Sequence, residues 1–160
     1  MAMIETAKGN LLQAPAEALV NTVNTVGVMG RGIALQFKQV YPRMFRAYEA
    51  ACKAGKVRLG KMNIFDLGGL NGGPRWIINF PTKGHWRTKS QLKDIDAGLA
   101  DLVATIQRLG IGSIAIPPLG CGNGGLNWSE VRPRIESALA ELPEVRVLLY
   151  SPAGVPDATH

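Results

Sequence analysis

The sequence predicts an α/β domain built on a mixed or parallel sheet with helices covering both faces. Two features carry that prediction. Short runs rich in Val and Ile alternate with segments of helical periodicity. Two of those runs lead directly into glycine-rich loops, and a helical pattern follows each loop. In sheets of this kind, ligands bind beyond the carboxyl ends of the strands, so the loops are where function is sought.

The strand-like runs are residues 3–6, 18–23, 62–66, 76–80, 113–116 and 145–150. Their shortness and apolar continuity fit strands buried on both faces. The first helical pattern covers residues 32–54 and has to break or kink at Pro42, whose ring and missing N–H oppose a continuous helix. The second places Leu92, Ile95, Leu99, Leu102, Val103, Ile106 and Leu109 on one face, with Ser90 as the expected N-cap and Gly110 as the stop. The third covers residues 127–142, with Val131, Ile135, Leu139 and Leu142 on one face. Asn127 and Glu130 have the spacing of a capping box, while Pro133 argues for a later start.

A chain of 160 residues suits one domain and buries roughly two thirds of its unfolded surface, so it needs no disulfide or metal staple. Its 46% hydrophobic and 19% charged content exclude a disordered chain. No apolar run approaches the ~18 residues of a membrane span. The first ten residues lack the apolar core of a signal peptide. Cys52 and Cys121 are the two cysteines and form no CxxC, which favours a reducing, cytoplasmic setting. Cysteines and histidines are too few and too dispersed for a metal cluster, and no cofactor is expected. The net charge of +6 suits acidic partners such as nucleic acid or nucleotides, and equally a merely soluble basic surface. The domain is expected over residues 1–150, with residues 151–160 (SPAGVPDATH) as a tail or linker.

The first loop reads Asn24-Thr25-Val26-Gly27-Val28-Met29-Gly30-Arg31-Gly32. The second reads Pro117-Pro118-Leu119-Gly120-Cys121-Gly122-Asn123-Gly124-Gly125-Leu126. Glycines let a backbone approach a ligand closely, and a helix N-terminus beyond such a loop offers free N–H groups to an anion. One such loop can be only a tight turn. Two on neighbouring strands can grip a diphosphate from both sides, which points to a nucleotide ligand. Gly120, Gly122 and Gly125 satisfy GxGxxG, but that motif belongs in a first βαβ unit and here stands near the chain's end. Neither loop ends in Gly-Lys-Ser/Thr, which excludes a P-loop.

The segment Ala18-Leu-Val-Asn-Thr-Val-Asn24 with its glycine loop resembles the macrodomain signature. Gly120-Cys-Gly-Asn-Gly-Gly-Leu126, followed by Trp128, resembles that family's phosphate loop. The run Asn79-Phe-Pro-Thr-Lys83-Gly-His85-Trp86-Arg87 is similar to the branch that holds the terminal ADP-ribose glycohydrolase and the bacterial DNA ADP-ribosyl glycohydrolase antitoxins. The resemblance runs from Ile4 to about Tyr150. It implies a macrodomain-like three-layer α/β/α sandwich with a mixed, mostly parallel sheet and ADP-ribose bound across its top. By the same resemblance Gly9, Asn10 and Leu11 lie near the adenine, Asn10 standing where many macrodomains have an aspartate. Asn24 would hydrogen-bond the distal ribose and join Lys83 in catalysis. Thr25, Gly27, Val28, Gly30 and Gly32, with Gly120, Cys121, Gly122, Asn123, Gly124, Gly125 and Leu126, would hold the phosphates and the distal ribose.

Lys83 matches the catalytic lysine of that branch, acting at C1 of the distal ribose. From the residues alone it reads more readily as a solvated lysine of a basic loop. Two roles are open: a neutral amine can attack the anomeric carbon, or an ammonium can protonate or stabilise the leaving group. The first needs a lowered pKa, while a neighbouring diphosphate pulls the other way. The terminal glycohydrolase also uses an aspartate in its second loop; here the matching position is Gly124, beside Asn123. His85 is either a substrate contact or a structural loop histidine. Trp86 can stack on an exposed base or serve packing, and Arg87 can contact phosphate. Cys121 has no histidine placed to activate it as a nucleophile.

The resemblance implies an ADP-ribosyl glycohydrolase that removes ADP-ribose from a nucleobase, thymine, in single-stranded DNA. Such an enzyme is the antitoxin to a cognate DNA ADP-ribosyltransferase toxin, met through a C-terminal domain absent here. Two alternatives stay open: hydrolysis of ADP-ribose from acidic protein side chains, and a non-catalytic ADP-ribose reader.

Overall fold

The computed structural model describes residues 3–69 and 72–152; most of the expected tail, residues 153–160, lies outside them. Six strands form one sheet: β1 (Met3–Ala7), β2 (Ala18–Asn24), β3 (Asn63–Asp66), β4 (Trp76–Lys83), β5 (Ser113–Ile116) and β6 (Arg146–Tyr150). Their order is β1-β6-β5-β2-β4-β3, with β3 antiparallel to β4 and every other pair parallel. The mixed, mostly parallel sheet is therefore as expected. The strands that lead into the two glycine loops, β2 and β5, are neighbours.

Alternation along the strands divides the core. Ala18, Val20, Ile78, Phe80, Ile114, Ile116, Val147 and Leu149 face one side. There they meet α3 (Leu92–Leu109) and α4 (Trp128–Leu139), which contribute Ile95, Leu99, Leu102, Val131, Ile135 and Leu139. Leu19, Val23, Ile77, Ala115 and Leu148 face the other side. That face is covered by α1 (Gly32–Val40) and α2 (Pro42–Lys53) through Phe37, Met44 and Tyr48. The result is the three-layer α/β/α sandwich.

Local chemistry accounts for most boundaries. Tyr41 separates α1 from α2, and Pro42 opens α2 at its first turn, where a missing N–H costs nothing. Gly110 ends α3 in the left-handed conformation, φ 65°. Gly98 in mid-α3 lets that helix press onto β4, since a Cβ there would lie 2.3 Å from the Phe80 ring.

Three expectations need correction. Gln91, not Ser90, is the N-cap of α3, and it makes no side-chain cap bond; Ser90 is buried one residue earlier, under the second glycine loop. Asn127 does precede α4, but its amide donates to the Glu130 carboxylate at 3.1 Å instead of capping the backbone. Pro133 lies inside α4 and does not delay its start. Burial of Val131, Ile135 and Leu139 outweighs the cost of about 3 kcal/mol that an interior proline carries. β4 also outruns its sequence pattern, continuing through Pro81 to Lys83. β3 pairs only with Trp76 to Asn79, so the far side of β4 beyond Asn79 is a free edge that tolerates proline.

Candidate functional site

Three segments converge at the carboxyl rim of the central strands. β2 releases the first glycine loop, β5 the second, and β4 ends on Lys83. A register shift between Val23 and Asn24 sets Lys83 opposite Asn24 across the β2–β4 pair. Two ties then clamp the lysine segment to both loops. Thr25 donates its N–H (3.1 Å) and its hydroxyl (2.9 Å) to the Gly84 carbonyl. Ser90 donates its N–H to the Gly124 carbonyl at 2.9 Å. The glycine loops also touch each other, for a Cβ on Gly32 would lie 3.8 Å from Asn123 Nδ2.

Asn24 builds the first loop. The residue is 5% exposed. Oδ1 accepts from Val26 N–H (3.1 Å) and Val28 N–H (3.3 Å), and Nδ2 donates to the Val28 carbonyl at 2.8 Å. The Tyr48 hydroxyl sits 2.7 Å from the Asn24 carbonyl and 2.9 Å from Oδ1, donating its proton into that pair. Burial pushes the Tyr48 phenol far above its ordinary value, so it stays a donor. What Asn24 leaves for a ligand is one amide N–H. Gly27 is packed on α2, where a Cβ would lie 3.5 Å from Cys52 Cβ. Val28 and Gly30 are exposed. Beyond them α1 begins at Gly32 with no side-chain cap and no acid in its first turn, leaving its first amides as anion donors.

The second loop holds its shape by different means. Leu126 N–H donates to the Gly120 carbonyl at 2.9 Å, and Gly122–Gly124 make one 3-10 turn. Gly120 has φ 72°, and a Cβ there would meet Leu126 at 2.6 Å, so only glycine fits. A Cβ at Gly124 would lie 2.6 Å from Ser90 Oγ and 3.2 Å from Ser90 Cβ, so an aspartate there would require Ser90 to shift. The aspartate of the two-residue mechanism has no counterpart at this position. Gly122 and Gly125 are exposed. Cys121 and Leu126 pack against the core, so they can offer a ligand their backbone. Burial pushes the Cys121 thiol up to about 11, which argues against a thiolate nucleophile. α4 carries Glu130 in its first turn. Its N-terminus is thus a poor anion site, and the donors here are the loop's own amides.

Lys83 spans the gap between the loops. Its Nζ donates to the Trp86 carbonyl at 3.1 Å and lies 3.5 Å from the Asn123 carbonyl. Desolvation, and then the nearby Arg31 guanidinium, hold its pKa below the ordinary lysine value. Past it, residues 85–88 form a tight turn in which Thr88 Oγ1 donates to the His85 carbonyl at 2.8 Å. His85 Nδ1 accepts from Arg87 N–H at 3.1 Å. The His85 and Trp86 ring centroids are 4.9 Å apart, and the Arg87 guanidinium lies 4.5 Å from the Trp86 ring. Trp86 is 39% exposed. This stack belongs to the loop itself and presents its outer surface to solvent.

Asn10 caps a short 3-10 turn, Leu11–Gln13, by accepting from Leu12 N–H at 3.0 Å; its NH2 remains free. Leu11 is a core residue. Both follow β1, which lies two strands from the second loop's β5. Sequence reasoning missed Tyr48, Arg31 and Ser90 as parts of the site. Tyr48 and Ser90 reach the loops from other elements, and Arg31, though it stands in the first loop, meets Lys83 only through the fold, so none of the three has a local signal. A groove of about 720 Å³ between α3 and α4 shares no residue with the loops.

Residues 20–135 match the macro domain family. The DNA ADP-ribosyl glycohydrolase of Mycobacterium tuberculosis is 59% identical over 152 residues, covering 95% of this chain but 43% of that protein. This chain therefore spans less than half of that relative's length. The solved macrodomain of Mycobacterium tuberculosis DarG superposes with a TM-score of 0.93 at 58% identity, covering 96% of this chain and all of that one. Thermosipho africanus DarTG, solved in complex with ADP-ribose, superposes with a TM-score of 0.89 at 33% identity, covering 96% of this chain and 43% of that one. On its sequence and its fold alike, the chain belongs to the macro domain family.

Proposed function

We propose that this chain is an ADP-ribosyl glycohydrolase that releases ADP-ribose from a nucleobase of DNA, thymine in a single strand. In that capacity it would serve as antitoxin to a DNA ADP-ribosyltransferase. The observation that carries the reading is the Lys83 amine. It stands between the two glycine loops, partly desolvated, and two carbonyls take up its donors. The similarity to a DNA ADP-ribosyl glycohydrolase and to a protein solved with ADP-ribose supports the choice of ligand. Asn10 would meet the adenine edge. The first loop and the start of α1 would hold the diphosphate, and the second loop the distal ribose. His85, Trp86 and Arg87 would receive the DNA.

A neutral amine with two N–H groups bonded to the Trp86 and Asn123 carbonyls has its lone pair left for the ligand. Attack on C1 of the distal ribose forms an N–C1 bond. The bond from C1 to the base breaks as the N–C1 bond forms, its electron pair leaving with the base, which takes a proton from water. Water next displaces the lysine and gives free ADP-ribose. The lowered pKa favours this route, because it raises the neutral fraction at a given pH. The rate should accordingly rise with pH through the Lys83 titration, whereas an acid role predicts a fall.

The test uses ADP-ribosylated single-stranded oligonucleotide. Lys83→Ala should lose turnover by roughly 10²–10⁴-fold while keeping its ADP-ribose affinity in calorimetry. Lys83→Arg, cationic but a poor nucleophile, should be equally inactive. Full turnover in Lys83→Ala would remove the lysine from the mechanism. Wild-type binding of ADP-ribose without turnover would instead identify a reader.

A further inference from the structure

The net charge of this protein is concentrated in one segment. Residues 38–61 hold seven of the 18 Lys and Arg residues and one of the 12 acids, Glu49; the rest of the chain is electrically balanced. All seven cations are exposed. Arg43, Arg46 and Lys53 lie on α2. At helical spacing they fall within about 80° of one another, opposite the buried Met44 and Tyr48. Lys56, Arg58 and Lys61 continue along the connection to β3, and Lys38 lies over the Phe45 ring. Among the described residues the ion pairs join Arg75 to Asp66, Arg132 to Glu136, Arg134 to Asp96 and Arg146 to Glu5, and so use none of these cations.

We propose that the basic outer face of α2 is a docking track for the phosphodiester backbone of DNA, leading the modified strand to the glycine loops. The track itself rests on the charge pattern; its destination rests on the activity proposed above. Arg43 to Lys53 extends about 15 Å, long enough to meet several phosphates of a strand. No large apolar side chain is exposed between them. A protein partner would instead be expected to find apolar or aromatic anchors there. The opposite face of the same helix builds the site, Tyr48 bonding Asn24 and Cys52 packing at Gly27. A backbone held on the outer face of α2 therefore lies about 10 Å, one helix diameter, from the first glycine loop.

The experiment measures binding of an unmodified single-stranded oligonucleotide by fluorescence anisotropy across a range of salt. It compares wild type, Arg43→Gln/Arg46→Gln/Lys53→Gln, and a control, Lys93→Gln/Arg108→Gln, on the opposite layer. The triple variant should bind at least tenfold more weakly at low salt. The slope of log affinity against log salt should flatten by about 2, given roughly 0.7 per lost single-strand phosphate contact. ADP-ribose affinity should be unchanged in calorimetry, which also verifies the fold. Three results would overturn the track: wild type without salt-dependent binding, a triple variant with wild-type slope and affinity, or a control that loses as much. A protein that fails to release ADP-ribose from the modified strand would overturn the proposed activity, while the slopes still decide the track.

Discussion

The two glycine loops sit on adjacent strands and face the same ligand space, yet they are held by opposite means. The first, from Asn24 to Gly32, is shaped by side chains. Asn24 and Tyr48 satisfy its backbone from within, and Thr25 ties it to the lysine segment. The second, from Gly120 to Leu126, is shaped by the absence of side chains. Gly120 and Gly124 let the backbone sink against Leu126, Ile95 and Ser90. The first loop is therefore vulnerable at a remote residue that never touches ligand. The second is vulnerable to a carbon added at Gly120 or Gly124.

Gly30→Glu should break the comparison most completely. Gly30 has no strained φ, and its nearest neighbour to an added Cβ is Val28 at 3.6 Å, so the fold should tolerate the change. Bulk and negative charge would then fill the space assigned to the diphosphate, and calorimetry should detect no ADP-ribose binding. Unchanged affinity would refute the loop assignment. Gly120→Ala comes next. Its positive φ and the 2.6 Å approach to Leu126 should cost about 2–4 kcal/mol, from strain and overpacking together. Thermal unfolding would register that loss, and an unshifted Tm would contradict it.

Tyr48→Phe removes one hydroxyl from the first loop and leaves Asn24 without its buried donor. A loss of about 1–2 kcal/mol is expected, with weakened ADP-ribose affinity as the loop loosens. Stability lost with full affinity would restrict Tyr48 to the fold. Ser90→Ala should have the smallest effect. Its Oγ is buried without a hydrogen-bond partner beneath Gly124, so deleting it should be neutral within about 0.5 kcal/mol, or slightly stabilising. A large loss would mean that Ser90 carries an interaction of the second loop.

Much of this architecture is legible in the chain. Pro42 marks the break between α1 and α2, Gly110 closes α3, and short runs with apolar residues mark the six strands. Errors arose where local preference met tertiary context. Pro133 is carried inside α4 by the burial of its neighbours, and Pro81 is tolerated in β4 because the adjacent strand has already ended. Ser90, an apt N-cap by residue type, is buried under the second loop instead. At the site, the glycine spacing and Lys83 are visible in sequence. Tyr48, 24 residues from Asn24, and Arg31 beside Lys83 are not.

The chain by itself determined the elements, the two flexible turns and the lysine, because periodicity, capping and backbone freedom are properties of neighbouring residues. Tertiary structure decided that these parts form one site. The order β5-β2-β4 brings the loops and Lys83 to one rim. Burial then turns Asn24 inward and lowers the lysine's affinity for its proton. Those outcomes depend on desolvation and on charges brought together from distant parts of the chain, which no local pattern encodes.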